Sequence, residues 1–222
     1  MKPMPCRGVL FDMDGVLVDS TAAVARVWSV WARKHGLHAD AVVKIAHGRP
    51  SISTIRDLLP NSDHEAEDRE VERQEIEDVE GIVALPGAAE LLRAIPANRY
   101  AIVTSATREL AEVRLRAAGL PVPANLVTAR DVQRGKPNPD PYLMGAKILG
   151  VSPAECVVIE DSPSGVRAGK AAGARVVALR TTATDAELQE AGADWVVENC
   201  AELLVETAPL SEEFFLVGRR TN

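Results

Sequence analysis

Short apolar runs recur along the chain, separated by stretches in which apolar and polar positions alternate with helical periodicity. The runs are four or five residues long and rich in β-branched side chains, which is typical of buried strands. We expect strands at Gly8–Phe11, Tyr100–Thr104, Cys156–Ile159, Arg175–Leu179 and Asp194–Val197. We expect helices at Pro86–Ile95, Thr107–Ala118, Pro139–Leu149, Pro163–Ala172 and Asp185–Glu190. Because alternating strands and helices need crossover connections, the pattern predicts an α/β fold with a doubly wound parallel sheet.

The segment from about residue 20 to residue 80 departs from this alternation, because its pattern is helical throughout. A first helix over residues 22–34 carries four apolar residues at the spacing of one helix face, namely Val24, Val27, Trp28 and Trp31. A second helix is expected at Ser51–Leu59, and Ser62 with Glu65 predicts a capping box that opens a third. We therefore predict an α/β core of residues 1–18 and 83–222, with a small helical cap domain of residues 19–82 inserted into it.

The chain has 222 residues and a net charge of −7, and the acids are unevenly distributed. Residues 63–80 hold ten acids and two arginines, so the remainder is nearly neutral and leaves room for an anionic substrate. We interpret the acidic run as the solvated face of a helix, with partner binding as the alternative. The acidic balance argues against nucleic-acid binding, which needs a basic face.

Targeting signals and cysteine pairs are not evident in the sequence. No apolar run approaches the roughly 18 residues that span a bilayer, and the first residues lack the apolar region of a signal peptide. Cys6, Cys156 and Cys200 form neither an even framework nor a metal-spaced pair. We expect a cytoplasmic protein with buried thiols and no membrane contact, either a monomer or a weak homodimer.

Polar side chains follow several of the predicted strands. Asp12 and Asp14 come after the first strand, Ser105 follows the second, and Glu160 with Asp161 ends the third. In a parallel sheet the carboxyl ends of the strands share one edge, where ligands bind. Clustered carboxylates need a neutralising cation, and Mg²⁺ prefers hard oxygen ligands. Each of these motifs alone has a simpler interpretation as a turn or a helix cap, whereas the motifs together predict a site for magnesium and phosphate.

Together these motifs resemble those of the haloacid dehalogenase superfamily of phosphatases, over nearly the whole chain. Phe11–Ser20 resembles the first motif of that family and Thr104–Ser105 the second. Gly135–Pro137 resembles the third motif and Ile159–Ser162 the fourth. The resemblance implies a Rossmann-like core, and the helices inserted after the first motif are similar to those of the subgroup with a small helical cap.

The resemblance also implies residue roles. Asp12 would be the nucleophile that forms an aspartyl-phosphate, and Asp14 would protonate the leaving alcohol and then deprotonate water. Ser105 and Lys136 would stabilise the transferring phosphoryl group. The implied Mg²⁺ ligands are Asp12, Asp14 through its backbone carbonyl, Asp161 and Glu160.

The cap segment Ala46–Ser51 resembles a His-Gly-Arg motif of sugar phosphatases and glycerol-phosphate phosphatases. Arg49 would then hold a phosphate or hydroxyl of the substrate; the alternative is an exposed turn arginine. The expected substrate-binding residues are His47, Gly48, Arg49, Ser105, Ala106 and Lys136.

The family contains several activities, and the residues favour one of them. Asp14 disfavours a dehalogenase, which has no leaving alcohol to protonate, and the cap lysines Lys34 and Lys44 are poorly placed for a phosphonatase. Relatives of β-phosphoglucomutase carry a histidine where this chain has Val24, which weakens the mutase alternative. A catalytically idle regulatory member is the other alternative, although none of the catalytic residues is missing. We therefore expect a Mg²⁺-dependent phosphatase of a small phosphorylated sugar or polyol.

Overall fold

A parallel sheet of six strands forms the centre of the fold. The computed structural model describes residues 2–46, 49–207 and 213–218. Its strands, numbered in chain order, are β1 Met4–Cys6, β2 Gly8–Phe11, β3 Val18–Asp19, β4 Val83–Ala84, β5 Tyr100–Val103, β6 Leu126–Val127, β7 Cys156–Glu160, β8 Arg175–Leu179, β9 Trp195–Val197, β10 Leu203–Thr207 and β11 Phe214–Gly218. The central sheet has the order β6-β5-β2-β7-β8-β9, and every pairing in it is parallel. The predicted doubly wound parallel sheet is confirmed.

The chain has helices on both faces of this sheet and in the inserted segment. They are α1 Thr21–Lys34, α2 Ala39–Ala46, α3 Ser51–Leu58, α4 His64–Glu77, α5 Ala88–Ala94, α6 Arg108–Ala117, α7 Asp140–Leu149, α8 Pro163–Ala171 and α9 Asp185–Glu190. Short 3₁₀ turns lie at Ala129–Asp131, Pro153–Glu155 and Cys200–Glu202. Within β2, Val9 and Phe11 face the apolar layer under α5 and α6, whereas Leu10 faces the layer under α7, α8 and α9. Because successive side chains of a strand point to opposite faces, a short all-apolar run fills two layers.

The predicted strands and helices of the core differ from the observed ones by at most two residues at an end. The helix starts coincide with side-chain caps: Thr107 accepts from the amide of Leu110, and Ser162 accepts from the amide of Gly165. The two-residue β6 was not predicted, because so short a strand carries no periodicity.

A second, antiparallel sheet accounts for part of the C-terminal segment. It has the order β1-β11-β10. Phe214 and Leu216 of this sheet are buried, so the C-terminal segment packs on the apolar core. Residues 208–212 and 219–222 lie outside the described residues.

The inserted helices α1 to α4 have an apolar cluster of their own. The predicted stripe of α1 is confirmed: Val24, Val27, Trp28 and Trp31 are all buried in this cluster. Helix α2, which was not predicted, adds Val42 and Ala46 to it. The strands β3 and β4 pair antiparallel, so the chain enters and leaves the helical segment side by side. Division into domains at residues 19 and 82 stays a prediction.

The acidic helix α4 differs from its prediction in two ways. The capping prediction was wrong by one residue: Asp63 accepts from the amide of Ala66, whereas Ser62 donates to the carbonyl of Leu59. The helix is also not simply a solvated face, because Val71 and Glu75 are buried and Glu67 accepts from the Trp31 indole at 2.9 Å. Indole N–H groups and a buried arginine are the partners of acidic residues that the sequence pattern alone predicts to be solvent-exposed.

Two further expectations have structural counterparts. The three cysteines are free and buried, as predicted. Within the described residues, no helix combines the length and the apolar character that crossing a bilayer requires.

Candidate active site

The predicted catalytic residues meet at the carboxyl edge of the central sheet. Asp12 follows β2 directly, and its amide donates to the carbonyl of Ile159 at the end of β7. Lys136 precedes α7, and its ammonium group donates to Asp12 Oδ1 and Glu160 Oε1, both at 2.7 Å. This lysine side chain is 4% exposed. Three loops far apart in sequence therefore bring one cation and two carboxylates into direct contact.

The charges at this edge alter one another's protonation. Burial raises the pKa of Asp12 to about 7, against the lowering effect of Lys136. Burial, with the Glu160 and Asp12 carboxylates, raises the pKa of Asp161 well above its usual range. Burial by itself would lower the pKa of Lys136, but Asp12 and Glu160 outweigh it and raise the value. The site thus has more buried negative charge than one ammonium group offsets.

Glu160 is the most heavily bonded group of the site. Its Oε1 accepts from Lys136 and from the hydroxyl of Tyr142, at 2.7 and 2.8 Å. Its Oε2 accepts from the amides of Asp161 and Ser162 and from the Ser162 hydroxyl. A Cβ at residue 165 would overlap the Glu160 carboxylate, so Gly165 is required for this arrangement. Five donors leave little capacity for a further ligand on Glu160.

Asp161 is held by residues that follow β8. The Thr182 hydroxyl donates to Asp161 Oδ2 at 2.5 Å, and the Thr181 hydroxyl donates to the carbonyl of Gly15. Gly15 has a φ of 79°, and a Cβ there would overlap the Asp161 carboxylate. Neither threonine was predicted from the sequence, although their position just after a strand was a usable signal.

The acidic cluster fits a divalent cation. Carboxylate oxygens of Asp12, Glu160 and Asp161 all lie within 4.8 Å of one another, and all three residues are buried. A set of hard oxygen donors with excess negative charge is the kind of site that Mg²⁺ or Ca²⁺ occupies. Asp14 does not contribute its side chain to this cluster, since its carboxylate is bonded elsewhere.

Asp14 contacts a buried arginine that the sequence analysis did not single out. Its Oδ1 accepts from the Ser20 hydroxyl at 2.6 Å, and its Oδ2 accepts from Arg114 Nη1 at 3.1 Å. Arg114 also pairs with Glu75 of α4, with 3.4 Å between Nη2 and Oε2. On α6, Arg114 lies on the same face as the buried Leu110 and Ala111. A charged residue within an apolar helix stripe was the available signal.

A cavity of about 240 Å³ lies above these groups, between the sheet edge and the inserted helices. Ser105 and Ala106 line it, whereas Lys136, the other core residue expected to bind substrate, is not among its lining residues. The Ser105 hydroxyl has no hydrogen-bond partner among the described residues. The other polar or charged residues of its lining are Asp12, Asp14, Ser20, Arg49, Ser51, Asp68, Glu72, Glu75, Thr104, Thr107, Arg114 and Arg130. The carboxylates of Asp12 and Asp14 border one end of the cavity and the inserted helices border the other, which leaves room for a small molecule.

The predicted cap residues are only partly placed. Arg49 lines the cavity, and its guanidinium donates to Asp57 Oδ2 at 2.7 Å in an ion pair that is largely exposed. His47 and Gly48 lie outside the described residues.

Comparisons with known proteins agree with this geometry. Hexitol phosphatase A of Escherichia coli (strain K12) is 45% identical over 214 residues, 93% of this chain and 97% of that protein. Glycerol-1-phosphate phosphohydrolase 2 of Saccharomyces cerevisiae is 34% identical over 212 residues, 89% of this chain and 85% of that protein. A solved hydrolase from Pseudomonas syringae is similar with a TM-score of 0.79 at 28% identity, over 88% of this chain and 94% of that chain.

The family match covers the site itself. The haloacid dehalogenase-like hydrolase family matches residues 6–173, a range that holds the Asp12–Lys136–Glu160 contacts and Asp161. Since fold, motifs and relatives agree, the resemblance inferred from the four motifs is confirmed, and the chain belongs to the haloacid dehalogenase-like hydrolases.

Proposed function

We propose that this protein is a Mg²⁺-dependent phosphatase that hydrolyses a small phosphorylated sugar or polyol through an aspartyl-phosphate on Asp12. The observation that supports the proposal most directly is the Lys136 ammonium held between Asp12 and Glu160, beside the cluster completed by Asp161. A carboxylate that lines a cavity, with a cation and a candidate metal site next to it, provides the groups that phosphoryl transfer requires.

The relatives support both the reaction and the substrate class. The prediction of a phosphoric monoester hydrolase is confirmed, since relatives are named phosphatases or phosphohydrolases. Their names specify a hexitol and glycerol 1-phosphate, both of which are polyols or their phosphates. We propose the same substrate class, phosphorylated polyols, for this chain.

The first chemical step forms a covalent intermediate. A carboxylate oxygen of Asp12 attacks phosphorus, and the bond from phosphorus to the leaving oxygen breaks. The Asp14 carboxyl gives its proton to that oxygen, so a neutral alcohol leaves and Asp14 becomes a carboxylate. Asp12 then carries the phosphoryl group.

The second step releases phosphate. The Asp14 carboxylate takes a proton from a water molecule, and the water oxygen bonds to phosphorus as the bond to Asp12 breaks. Inorganic phosphate leaves, Asp12 returns to a carboxylate, and Asp14 is again protonated for the next cycle. One residue thus acts as acid in one step and as base in the other.

Fixed donors would stabilise the transferring group. Lys136 is buried and held by two carboxylates, so its charge needs no reorganisation when negative charge develops on the phosphoryl oxygens. Ser105 lines the cavity, and its hydroxyl is available to donate. Asp12 and Asp161 would hold Mg²⁺ with the Asp14 carbonyl, whereas the five donors on Glu160 suit it to orienting Lys136. The bound cation would offset the negative charge of the phosphate against the carboxylates.

The far end of the cavity fits a hydroxyl-rich leaving group. The whole cavity has a volume of about 240 Å³, which is below the roughly 300–1,000 Å³ typical of sites for drug-sized ligands. Asp68 and Glu72 of α4 line the cavity with Arg49, and such groups accept hydrogen bonds from hydroxyl groups or donate to them. These features favour a small neutral polyol over a leaving group with a second negative charge.

A panel of phosphate monoesters tests the proposal. We expect phosphate release from hexitol, hexose and glycerol monophosphates with Mg²⁺, its loss with a chelator, and a higher kcat/KM for one polyol phosphate than for p-nitrophenyl phosphate. Isomerisation of a hexose phosphate without phosphate release would indicate the mutase alternative instead. Absence of turnover on every ester with Mg²⁺ would favour the idle alternative.

A further inference from the structure

Arg114 occupies an unusual position for a charged residue. It lies on the apolar face of α6 among Leu110, Ala111 and Leu115, and its side chain is 6% exposed. Its Nε is buried without a hydrogen-bond partner among the described residues. An arginine kept for stability alone rarely leaves a buried donor unsatisfied, because the lost hydration of that donor is then not compensated. The position of the residue therefore calls for a functional explanation.

The guanidinium connects the sheet edge with the inserted helices. Its Nη1 donates to Asp14 Oδ2 at 3.1 Å, and its Nη2 lies 3.4 Å from Oε2 of Glu75. Glu75 is in turn anchored by the indole of Trp28, which donates to its Oε1 at 3.1 Å. A chain of contacts thus leads from the apolar cluster of α1 through α4 and α6 to the loop after β2.

The other oxygen of Asp14 is fixed by Ser20. This serine is the N-cap residue of α1, yet its side chain makes no capping bond there and donates to Asp14 Oδ1 at 2.6 Å. Serine at this position normally stabilises a helix by accepting from a backbone amide. Here the hydroxyl is used on Asp14 instead, so two residues on separate elements orient one carboxylate.

A second set of contacts packs α4 against α6. Glu72, one turn before Glu75, accepts a hydrogen bond from Thr107 at the start of α6 and pairs with Arg130 at 3.7 Å. Residues three apart share one helix face, so Glu72 and Glu75 bring α4 against α6 at two points. The position of Glu75 over Arg114 therefore depends on how the inserted helices sit on the core.

We propose that Arg114 is a positioning residue, which holds the Asp14 carboxylate in place for proton transfer and is itself held by Glu75 of α4. The inference rests on the proposed function, in which Asp14 protonates the leaving oxygen and later deprotonates water. A proton donor contributes only when it lies within hydrogen-bond reach of the atom that it protonates. The packing of the inserted helices on the core is thereby linked to the orientation of Asp14 for proton transfer.

Substrates with different leaving groups separate this role from a structural one. p-Nitrophenolate leaves without a proton, so Arg114→Met should leave the initial burst of p-nitrophenol close to that of the wild type. Removal of phosphate from Asp12 still needs a base, so the steady-state rate after the burst should fall. For an alkyl ester such as glycerol 1-phosphate, we expect kcat to fall about 10- to 100-fold, which is less than the roughly 10²- to 10⁴-fold contribution of a complete acid–base group because Asp14 itself remains.

A double-mutant cycle provides the sharper readout. If Arg114 acts through Asp14, then Arg114→Met should cause no further loss of kcat in the Asp14→Asn background. Arg114→Lys keeps the charge and serves if the methionine variant does not fold, and Glu75→Gln should show the same leaving-group pattern with a smaller loss. Arg116→Met is the matched control, because this arginine lies on the same helix, is exposed and pairs only locally with Glu112.

The outcomes are distinct. Equal losses in burst rate and alkyl turnover, wild-type kinetics in the Arg114 variants, or an additive loss in the double mutant would each overturn the positioning role. A wild-type protein without turnover on either ester would overturn the proposed function instead.

Discussion

The two ends of the cavity differ in how firmly their polar groups are held. At the sheet edge, Lys136 is 4% exposed and bonded to two carboxylates at 2.7 Å. At the inserted helices, the Arg49–Asp57 pair has the same short distance, but its side chains are 39% and 60% exposed. Exposed pairs are weak because water competes for both partners, so Arg49 is free to exchange Asp57 for a ligand. Under the proposed function, the rigid end would carry out the phosphoryl chemistry and the adaptable end would contact the leaving group.

The largest expected effect comes from the rigid end. Asp12→Asn replaces the nucleophilic carboxylate by an amide of similar shape, so turnover should fall about 10⁴-fold or more while the fold remains. Initial rates with p-nitrophenyl phosphate measure the loss of turnover, and a circular dichroism melt shows whether the fold is retained. Near-normal activity in a folded variant would remove the covalent route.

Lys136→Ala should also act on kcat. A fixed donor to transition-state charge contributes about 2.7–4 kcal/mol, or roughly 10²- to 10³-fold in rate. Its loss should affect aryl and polyol esters alike, because both transfer the same phosphoryl group. Arg134→Ala is a control in the same loop, since that residue is exposed and pairs with Asp140. A change in KM alone would restrict Lys136 to binding the substrate.

The adaptable end should discriminate between substrates. Arg49→Ala is expected to lower kcat/KM about 10- to 150-fold for the preferred polyol phosphate, with a much smaller loss for p-nitrophenyl phosphate. Asp57→Asn, which frees Arg49 without removing it, should not lower kcat/KM. Equal losses on both esters from Arg49→Ala would place the arginine at the phosphate, and no loss on either would make it an exposed turn arginine.

The smallest expected effect is a change in stability within the inserted helices α1 to α4. Asp63→Ala removes the side chain that caps α4 and should lower the free energy of unfolding by about 1 kcal/mol. Ser62→Ala should have less effect, because Ser62 only donates to a loop carbonyl. Chemical denaturation of both variants gives the comparison, and the reverse order would restore Ser62 as the cap.

The rigid end was also the more predictable one. Asp12, Ser105 and Asp161 each follow a recognisable apolar run, and parallel strands end at one edge, so their proximity follows from topology. The Arg114–Asp14 contact spans 100 positions between a helix and a loop, and no local pattern encodes it. Helix α2 was missed because short helices depend on packing more than on periodicity. The cap of α4 was misassigned because the adjacent residues Ser62 and Asp63 both suit an N-cap position.

Trapping the phosphorylated enzyme tests the central claim most directly. The wild-type protein would be mixed with Mg²⁺ and a rapidly cleaved aryl phosphate, quenched within one turnover, treated with borohydride and digested for mass spectrometry. An aspartyl-phosphate is an acyl phosphate, which borohydride reduces to homoserine, so we predict this mass change at residue 12. The change should be absent when substrate is omitted and in Asp12→Asn. Complete phosphate release under the same conditions, with residue 12 unmodified at every time point, would contradict the account.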